Sequence, residues 1–338
     1  MPIPPSLKSV AWSAITSPWF LRGLRATRQR GCLVLCLHRF AYEDAAHIGH
    51  DPKGLRQLLE TLRKQRIGIV DAEVAARRVD LDAEPPEDEQ LSVAFTVDDG
   101  YADLVSIAEP IFSEYDCPVT AFVVPDAVER RTWFWWDRLD WVLRHSSKRN
   151  LEVEVEGGWL RLTWFDDKSR LVARTAAEAA LKQCAHADLE NMLDRMAEAA
   201  AVVVPSVAPT DYRVLDWEEI RSAERRGMRF GAHSLTHPIL SRCTDERAEQ
   251  EIRHSVEGVR KNLARPANIF CYPNGGKGDF GSREFKAIRQ SNVEYAYTTI
   301  PGVLRLGREA KRDADWRFKL PRVAYSDQFA QIVRSFLT

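Results

Sequence analysis

Residues 92–97 read SVAFTV and run directly into the polar triplet DDG at 98–100. A continuous apolar, β-branched run of this length predicts a strand that is buried on both faces. Two similar runs, CLVLCL at 32–37 and VTAFVV at 119–124, lie on either side of it in the chain. Leucines at helical spacing over 54–66 predict a helix that packs on a core, and residues 104–115 are also predicted to be helical. Strands without alternation, separated by helices, predict a parallel sheet covered on both faces.

The alternation of helix and strand resumes near residue 216. Asp216, with Glu219 three residues later, has the pattern of a capping box at a helix start. Two predicted strands follow, MRFGA at 228–232 and NIFCY at 268–272. The last predicted elements are a helix at 282–290 and strands at 295–299 and 318–324.

The stretch at 127–215 lacks this alternation of helix and strand. It opens with a Trp-rich segment, passes through an alternating stretch at 151–164, and continues into an Ala/Glu/Leu-rich helical segment at 168–203. Its tryptophans either form a core for this part or line a sugar-stacking wall, and core packing is the commoner use of such rings. We therefore predict an N-terminal arm or helix at 1–30, an α/β body at 31–126 and 216–338, and an insertion or subdomain at 127–215.

The composition is that of an ordinary globular protein, with 45% hydrophobic and 29% charged residues among 338. The net charge of −1 gives no bulk electrostatic case for a nucleic-acid partner. Six scattered cysteines without a CxxC pair argue against a zinc ribbon and favour a reducing compartment.

The N-terminal segment lacks the pattern of a secretory signal, and no apolar run approaches about 18 residues. We therefore expect a cytoplasmic protein without a transmembrane helix. Residues 7–24, which include Trp12, Trp19 and Phe20, suit either peripheral contact with a membrane or packing on the body of the protein.

Three polar clusters directly follow predicted strands: DDG at 98–100, HSLTH at 233–237 and YPNGG at 272–276. In α/β barrels, active-site groups gather on the loops that follow the carboxyl ends of the strands. Each cluster alone is an ordinary turn or loop sequence. Their joint occurrence after strands predicts a single site.

His233 and His237 have the i, i+4 spacing that lets two imidazoles face one point. Two imidazoles and one carboxylate suit Zn²⁺, Co²⁺, Fe²⁺, Mn²⁺ or Ni²⁺ and leave positions for water and substrate. One aspartate of the pair Asp98 and Asp99 can be the third ligand. The other can act as general base on a water whose pKa the cation lowers to about 7.

These motifs resemble those of the NodB-type polysaccharide deacetylases, carbohydrate esterase family 4. FTVDDG at 95–100 resembles the family's first motif, and GAHSLTHP at 231–238 closely resembles its second. FCYPNGG at 270–276 resembles the third, and CLHRF at 36–40 resembles the strand and histidine that open many members. The resemblance implies a distorted (β/α) barrel, with seven strands, and metal-dependent deacetylation of carbohydrate.

Residue by residue, the resemblance implies that Asp99, His233 and His237 bind the metal, with Zn²⁺ as the favoured cation. It makes Asp98 the catalytic base. It also implies that the backbone N–H of Tyr272 helps to hold the oxyanion, a role for which a fixed amide donor is worth about 2.7–4 kcal/mol.

Two departures from the family pattern affect the acid and base steps. The family's third motif often carries an arginine that orients the base, and Cys271 stands in the matching region. Many members also have a late histidine that acts as general acid, whereas the corresponding stretch KLPRV at 319–323 has none. Arg322 in that stretch is a candidate either for binding substrate or for fixing the base.

Three further residues are candidates for contact with substrate. His38 follows the first predicted strand and either lines the pocket or is a structural histidine. Pro273 lies in the third motif, and Trp136 belongs to the Trp-rich opening of the insertion.

The sequence therefore predicts a hydrolase of carbon–nitrogen bonds other than peptide bonds. Its substrate would be an N-acetylated sugar in a surface polysaccharide or in a lipid-linked precursor of one. Two alternatives stay open at this point. The same residues can serve a deformylase or an O-deacetylase, and the missing late histidine fits a non-catalytic glycan-binding protein with a decayed site.

Overall fold

The computed structural model describes residues 15–25, 31–43, 48–155, 158–305 and 313–337. Its strands are β1 (Gly31–Leu37), β2 (Gly68–Ile69), β3 (Leu91–Val97), β4 (Val119–Val123), β5 (Asn150–Val155), β6 (Gly158–Thr163), β7 (Arg229–Ala232), β8 (Ile269–Cys271), β9 (Tyr295–Tyr297) and β10 (Val323–Ala324). Its α-helices are α1 (Pro18–Arg25), α2 (Pro52–Lys64), α3 (Ala72–Leu81), α4 (Glu109–Glu114), α5 (Pro125–Val128), α6 (Trp135–His145), α7 (Asp167–Leu181), α8 (His186–Ala200), α9 (Trp217–Arg225), α10 (Asp245–Asn262), α11 (Ser282–Gln290) and α12 (Phe329–Ser335).

Eight strands form one sheet in the order β10–β1–β3–β4–β7–β8–β9, with β2 also paired to β3. All the strand pairs of this sheet are parallel within the described ranges. The carboxyl ends of its strands therefore lie at one end of the sheet, where loop residues from distant parts of the chain can meet.

The short segment around β10 joins the two ends of the sheet. Leu320 donates its N–H to Ala296 O at 3.0 Å, and its carbonyl accepts from Thr298 N at 2.9 Å, next to β9. Three residues later, Val323 of β10 lies opposite Leu35 of β1. This closure confirms the predicted distorted (β/α) barrel with seven strands along its path.

Alternate residues of β1 pack on different sides of the sheet. Leu33, Leu35 and Leu37 join a cluster that includes the leucines of α2. Cys32 and Val34 join a second cluster drawn from the facing strands and α3. Both faces of β1 are therefore covered, as the unbroken apolar run predicts.

The predicted start of helix α9 is confirmed in detail. The Asp216 side chain accepts hydrogen bonds from Glu218 N and Glu219 N, and the Glu219 side chain accepts from Asp216 N. This reciprocal arrangement satisfies N–H groups that have no partner inside the helix.

Three predicted elements differ in extent from those observed. The helical segment predicted at 168–203 is two helices, α7 and α8, separated by a turn at 182–185. The last predicted strand shortens to β10, and its first predicted residue, Phe318, belongs instead to the 3₁₀ helix Trp316–Phe318. The helix predicted at 104–115 begins as the π-helix Leu104–Ala108, just before Pro110, which has no N–H to donate.

Helices α6, α7 and α8 and the hairpin β5–β6 pack around a separate apolar cluster, and we call residues 135–200 the cap. The cluster includes Leu139, Leu151, Val153 and the fully buried Trp164. Buried and exposed residues alternate along β5, as expected of a hairpin with one face on a core. The predicted division of the chain into arm, body and insertion stays a prediction, although this second cluster favours it.

Helix α1 has both buried and exposed apolar side chains. Leu21 and Leu24 are buried, whereas the Trp19 side chain is 71% exposed. Of the segment at 7–24, residues 7–14, which include Trp12, lie outside the described ranges. No helix within the described ranges is both long and apolar enough to cross a membrane.

Candidate active site

The carboxyl ends of β3 and β7 carry the predicted site residues into one pocket. Asp98 and Asp99 follow β3, and His233 follows β7. Asp99 has a φ of 72° and His237 a φ of 64°, values in the left-handed region that few residues other than glycine adopt. The sharp turns that these angles produce direct the side chains back over the barrel end.

One carboxylate oxygen faces two imidazole nitrogens. Asp99 Oδ1 lies 3.6 Å from His233 Nε2 and 3.4 Å from His237 Nε2, and all three side chains are buried. No described residue donates a hydrogen bond to Asp99 Oδ1. Ligand atoms around a tetrahedral Zn²⁺ are separated by about 3.3–3.5 Å. The donor set and its spacing therefore fit a divalent cation.

Hydrogen bonds to buried groups hold the loop that carries the two histidines. His233 Nδ1 donates to Cys271 O at 2.8 Å, which turns Nε2 towards Asp99. Ser234 Oγ accepts from His237 N at 3.0 Å. The buried Glu251 accepts hydrogen bonds from Leu235 N and Thr236 N, both at 2.8 Å.

Burial sets the charge state of this cluster. It lowers the pKa of His233 to about 4, and it lowers the pKa of His237 below its ordinary value, with the neighbouring His233 adding to the effect. Both imidazoles are therefore neutral at pH 7, the form that binds a metal. Burial raises the pKa of Asp99, and the charges of Asp98 and Asp137 raise it further. A cation at this point would favour the ionised form of Asp99.

Asp98 is held by a buried arginine from the far end of the chain. Arg322 Nη1 lies 2.7 Å from Asp98 Oδ1, and Nη2 lies 2.7 Å from Oδ2, so the pair is bidentate. The guanidinium also donates from Nε to Thr298 O at 2.9 Å and from Nη1 to Thr96 Oγ1 at 3.0 Å. Cys271 packs against the same guanidinium, with Sγ 2.9 Å from Nη2.

Arg322 therefore fixes the candidate base, which is one of the two roles that the sequence left open for it. Burial alone would raise the pKa of Asp98, but the charge of the Arg322 guanidinium and its hydrogen bonds lower that pKa below its usual range. Asp98 is consequently a carboxylate across the neutral range.

A cavity of about 460 Å³ opens over these residues, and its walls come from both the barrel and the cap. His38 lines it, with Nε2 3.9 Å from Asp98 Oδ2 and with half of its side chain exposed. Trp136 lines it from the cap, with its ring centroid 4.7 Å from that of His237. Both residues line the cavity, and their contact with substrate stays a prediction.

The family model described as polysaccharide deacetylase matches residues 86–296, more than half of the chain. The chain belongs to the polysaccharide deacetylase family. The matched region contains Asp98, Asp99, His233 and His237, and it ends before Arg322. Family membership makes the protein a carbohydrate deacetylase, a hydrolase.

Solved structures of similar fold include three deacetylases. A Streptococcus pyogenes deacetylase, PplD, in complex with acetate has a TM-score of 0.57 at 14% identity, covering 91% of this chain and 98% of that one. IcaB from Ammonifex degensii has a TM-score of 0.55 at 14% identity, over 91% and 98%. A de-N-acetylase from Aggregatibacter actinomycetemcomitans has 0.52 at 12%, over 90% and 99%. A search of curated proteins found no match.

Two predicted roles in this polysaccharide deacetylase do not agree with the structure. Tyr272 N–H donates to Tyr297 O at 3.1 Å and so extends the β8–β9 ladder, which leaves it unable to bind an oxyanion. Pro273 is buried and is absent from the described residues that line the cavity, so the structure gives no support for contact with substrate.

Asn274, next in the chain, was missed by the sequence reasoning. It lines the cavity with a φ of 57°, and its N–H has no acceptor among the described residues. The asparagine-glycine pair in YPNGG signals a turn that adopts this conformation. That signal points to Asn274 as the residue at which the backbone leaves the sheet.

Proposed function

We propose that this polysaccharide deacetylase removes an N-acetyl group from a sugar in a metal-dependent reaction. The observation that carries the proposal is the convergence of Asp99, His233 and His237 beside Asp98 at the floor of a cavity. Zn²⁺ is the cation that two imidazoles and a carboxylate favour, and Co²⁺, Fe²⁺, Mn²⁺ and Ni²⁺ suit the same donors.

Asp98 is the proposed base. When bound, a divalent cation would polarise the acyl carbonyl and lower the pKa of water in its coordination shell. The Asp98 carboxylate, fixed by Arg322, accepts the proton that the attacking water loses. The fixed geometry matters because a base must lie within hydrogen-bond reach of the proton that it removes.

Asn274 N–H is the proposed donor to the oxyanion. It lies in the cavity wall and is left without an acceptor within the described part of the chain. A backbone donor held in place before the reaction stabilises developing negative charge without reorganising. This assignment replaces Tyr272, whose N–H is used by the sheet.

His38 is the proposed proton donor to the leaving amine. It lies beside Asp98, reaches into the cavity and is half exposed, so it can exchange protons with solvent. It would take the part that the late histidine plays in the family pattern described above. Expulsion of an amine needs such a proton because the free amide anion is a very poor leaving group.

The proposed substrate is an N-acetylated sugar of a surface polysaccharide or of its lipid-linked precursor. The acyl group proposed is acetyl, and the similar deacetylase solved with acetate supports that choice. The cavity volume lies within the range of small-ligand sites, which fits one or two sugar units.

The test combines metal analysis with product analysis. Wild-type protein loaded with Zn²⁺ or Co²⁺ is incubated with N-acetylated oligosaccharides, and acetate and formate are both measured. We expect acetate release that stops when a chelator strips the protein and returns when the cation is restored. Formate as the main product would favour a deformylase, and full activity in the stripped protein would refute metal dependence.

Variants of the ligands sharpen this test. His233→Ala and Asp99→Ala should lose both the bound cation and turnover, because each removes a ligand of the cluster. His254→Ala, a half-buried histidine of α10 outside the cavity, is the control and should keep both. Retention of the cation by both ligand variants would show that the cluster is not the metal site.

A further inference from the structure

The cap places a buried carboxyl group in the wall of the cavity. Asp137, in the first turn of α6, is 3% exposed and lines the cavity beside Trp136. The barrel already supplies the residues proposed for metal binding, proton transfer and oxyanion binding. Asp137 therefore lies at the site without a role in that chemistry.

One hydrogen bond holds the Asp137 carboxyl group, and a second holds the donor of the first. Tyr101 OH donates to Asp137 Oδ2 at 2.6 Å, and Trp136 Nε1 donates to Tyr101 OH at 2.9 Å. Tyr101 is itself fully buried, with the Arg39 guanidinium 4.2 Å from its ring centroid. The chain Trp136–Tyr101–Asp137 ties the cap to the strand end that carries Asp99.

The other oxygen of Asp137 is available for a ligand. No described residue donates a hydrogen bond to Asp137 Oδ1. This oxygen is also not fully enclosed by protein atoms. A carboxyl oxygen left open in a cavity wall costs free energy unless a ligand or water binds it. Asp137 Oδ1 is therefore placed to accept a hydrogen bond from whatever fills the cavity.

The neighbours of Asp137 suit a sugar. The Trp136 ring stacks on Phe134 with centroids 4.5 Å apart and an interplanar angle of 7°, and it makes a T-shaped contact with His237. A rigid aromatic wall beside a fixed carboxyl group offers an apolar surface to a sugar ring and an acceptor to a hydroxyl. Burial also raises the pKa of Asp137 to about 7, so this group can accept or donate near neutral pH.

We propose that Asp137 binds a hydroxyl of the sugar that carries the acylamino group, so that a cap residue sets substrate specificity. In a glycosidically linked 2-acetamido sugar, C1 carries the glycosidic oxygen, so the free hydroxyl next to the acylamino carbon is the 3-hydroxyl. The inference rests on the proposed function, because it assumes that the acyl group lies over the metal ligands.

The experiment removes one partner of this contact at a time. In Asp137→Asn the amide oxygen stays the acceptor for Tyr101 OH, so an NH₂ group replaces the acceptor Oδ1 on the side of the cavity. Wild-type protein and Asp137→Asn are assayed with N,N′-diacetylchitobiose and with its 3-deoxy and 6-deoxy analogues. A site built to bind a hydroxyl strongly rejects an analogue that lacks it. We expect kcat/KM for the parent sugar to fall by about 100-fold or more in Asp137→Asn, and a similar fall for wild type with the 3-deoxy analogue.

The decisive quantity is the change in kcat/KM that Asp137→Asn causes with each deoxy analogue. Asp137→Asn should cause little further loss with the 3-deoxy analogue, while its loss with the 6-deoxy analogue should equal that with the parent sugar. Equal losses on all three sugars would overturn the inference. Tyr101→Phe, which keeps Asp137 but removes its fixed donor, should raise KM by about 10-fold with kcat less affected.

Controls separate this inference from folding and from the proposed function. Asp137→Asn should keep its bound cation and its thermal unfolding midpoint. Asp194→Asn, an exposed aspartate of α8 in the same cap, should match wild type throughout. A wild-type protein that holds the cation but hydrolyses none of the three sugars would refute the proposed function on this substrate class, and with it the inference. An active wild type whose Asp137→Asn variant shows no selective loss would refute the inference alone.

Discussion

The barrel rim, which we define as the carboxyl ends of β3, β7 and β8 and the loops that follow them, faces the same cavity as the cap, but the two are built in different ways. At the rim, each reactive group is fixed by a buried partner, as Arg322 fixes Asp98 and Cys271 O fixes His233. The cap has an apolar cluster of its own around Trp164, and it lines the cavity with residues of α6, which include Trp136 and Asp137, and of α7. The chemistry thus belongs to the strand ends, and the shape of the cavity belongs largely to the cap.

This difference predicts that the two regions respond differently to substitution. A change among the buried charges of the rim should affect stability and catalysis together, because the same contacts serve both. A change in the cap core should reach catalysis only through the cavity wall and should leave the metal ligands in place.

The largest effect should follow from Arg322→Met. The variant leaves Asp98 buried without its partner, and loss of one member of a buried ion pair costs about 3–5 kcal/mol. We expect the free energy of unfolding at pH 7 to fall by that amount and kcat/KM to fall with it. Arg317→Met, in the exposed pair with Asp80, is the control and should change stability by less than about 1 kcal/mol.

The penalty of Arg322→Met should also depend on pH. In the wild type the pKa of Asp98 is lower in the folded state than in the unfolded state. The ion pair therefore stabilises the fold fully above the unfolded-state pKa, and this stabilisation is lost as the pH falls through the folded-state pKa. Without Arg322, burial raises the pKa of Asp98, and protonation removes the unpaired charge. Unfolding of the metal-free proteins should therefore show a smaller difference at pH 4.5 than at pH 7, and a constant difference would contradict this account.

Trp164→Ala should weaken the cap without affecting the metal ligands of the rim. Trp164 is fully buried in the cap cluster, and truncation of such a ring costs about 3–5 kcal/mol. We expect the cap to lose stability and KM to rise, while the protein still binds its cation. Trp159→Ala, on the same hairpin but 59% exposed, should stay within about 0.5 kcal/mol of wild type. Loss of the cation from Trp164→Ala would show that the cap supports the metal site.

The sequence predicted the rim better than the cap, for physical reasons. Asp98, Asp99, His233 and His237 follow apolar strands, and the parallel sheet brings strand ends together regardless of their distance in the chain. The position of Arg322 depends on barrel closure by β10, which shows in the sequence only as a short apolar stretch.

The residues that sequence reasoning missed depend on tertiary contacts. The N–H of Tyr272 is occupied because of the register between β8 and β9, which no local pattern encodes. Asp137 lies in a Trp-rich segment that resembles core, and its place in the cavity follows from how the cap packs on Tyr101. Asn274 was the exception, since its turn sequence was visible.

Glu251→Gln should weaken the metal site without removing a ligand. Glu251 is fully buried and accepts hydrogen bonds from the loop between His233 and His237, so its charge and shape hold that loop. Loss of an outer partner of this kind typically lowers metal affinity by about 10–100-fold. Competition with a chromogenic chelator measures the change, and Glu257→Gln on the exposed side of α10 is the control. Unchanged affinity in Glu251→Gln would show that the loop holds its shape without this carboxylate.

The smallest effect should come from Asp216→Ala, which tests whether the barrel's outer helices are independent of the rim. Asp216 caps α9 by accepting from Glu218 N and Glu219 N, and loss of such a cap costs about 0.5–2 kcal/mol. Asp216→Asn keeps an acceptor at the same position and should recover most of this stability. Because α9 precedes β7 rather than following it, neither variant should alter metal affinity or KM. A change in either quantity would mean that strain in α9 passes along β7 to His233, and the rim would then be less rigid than its paired charges imply.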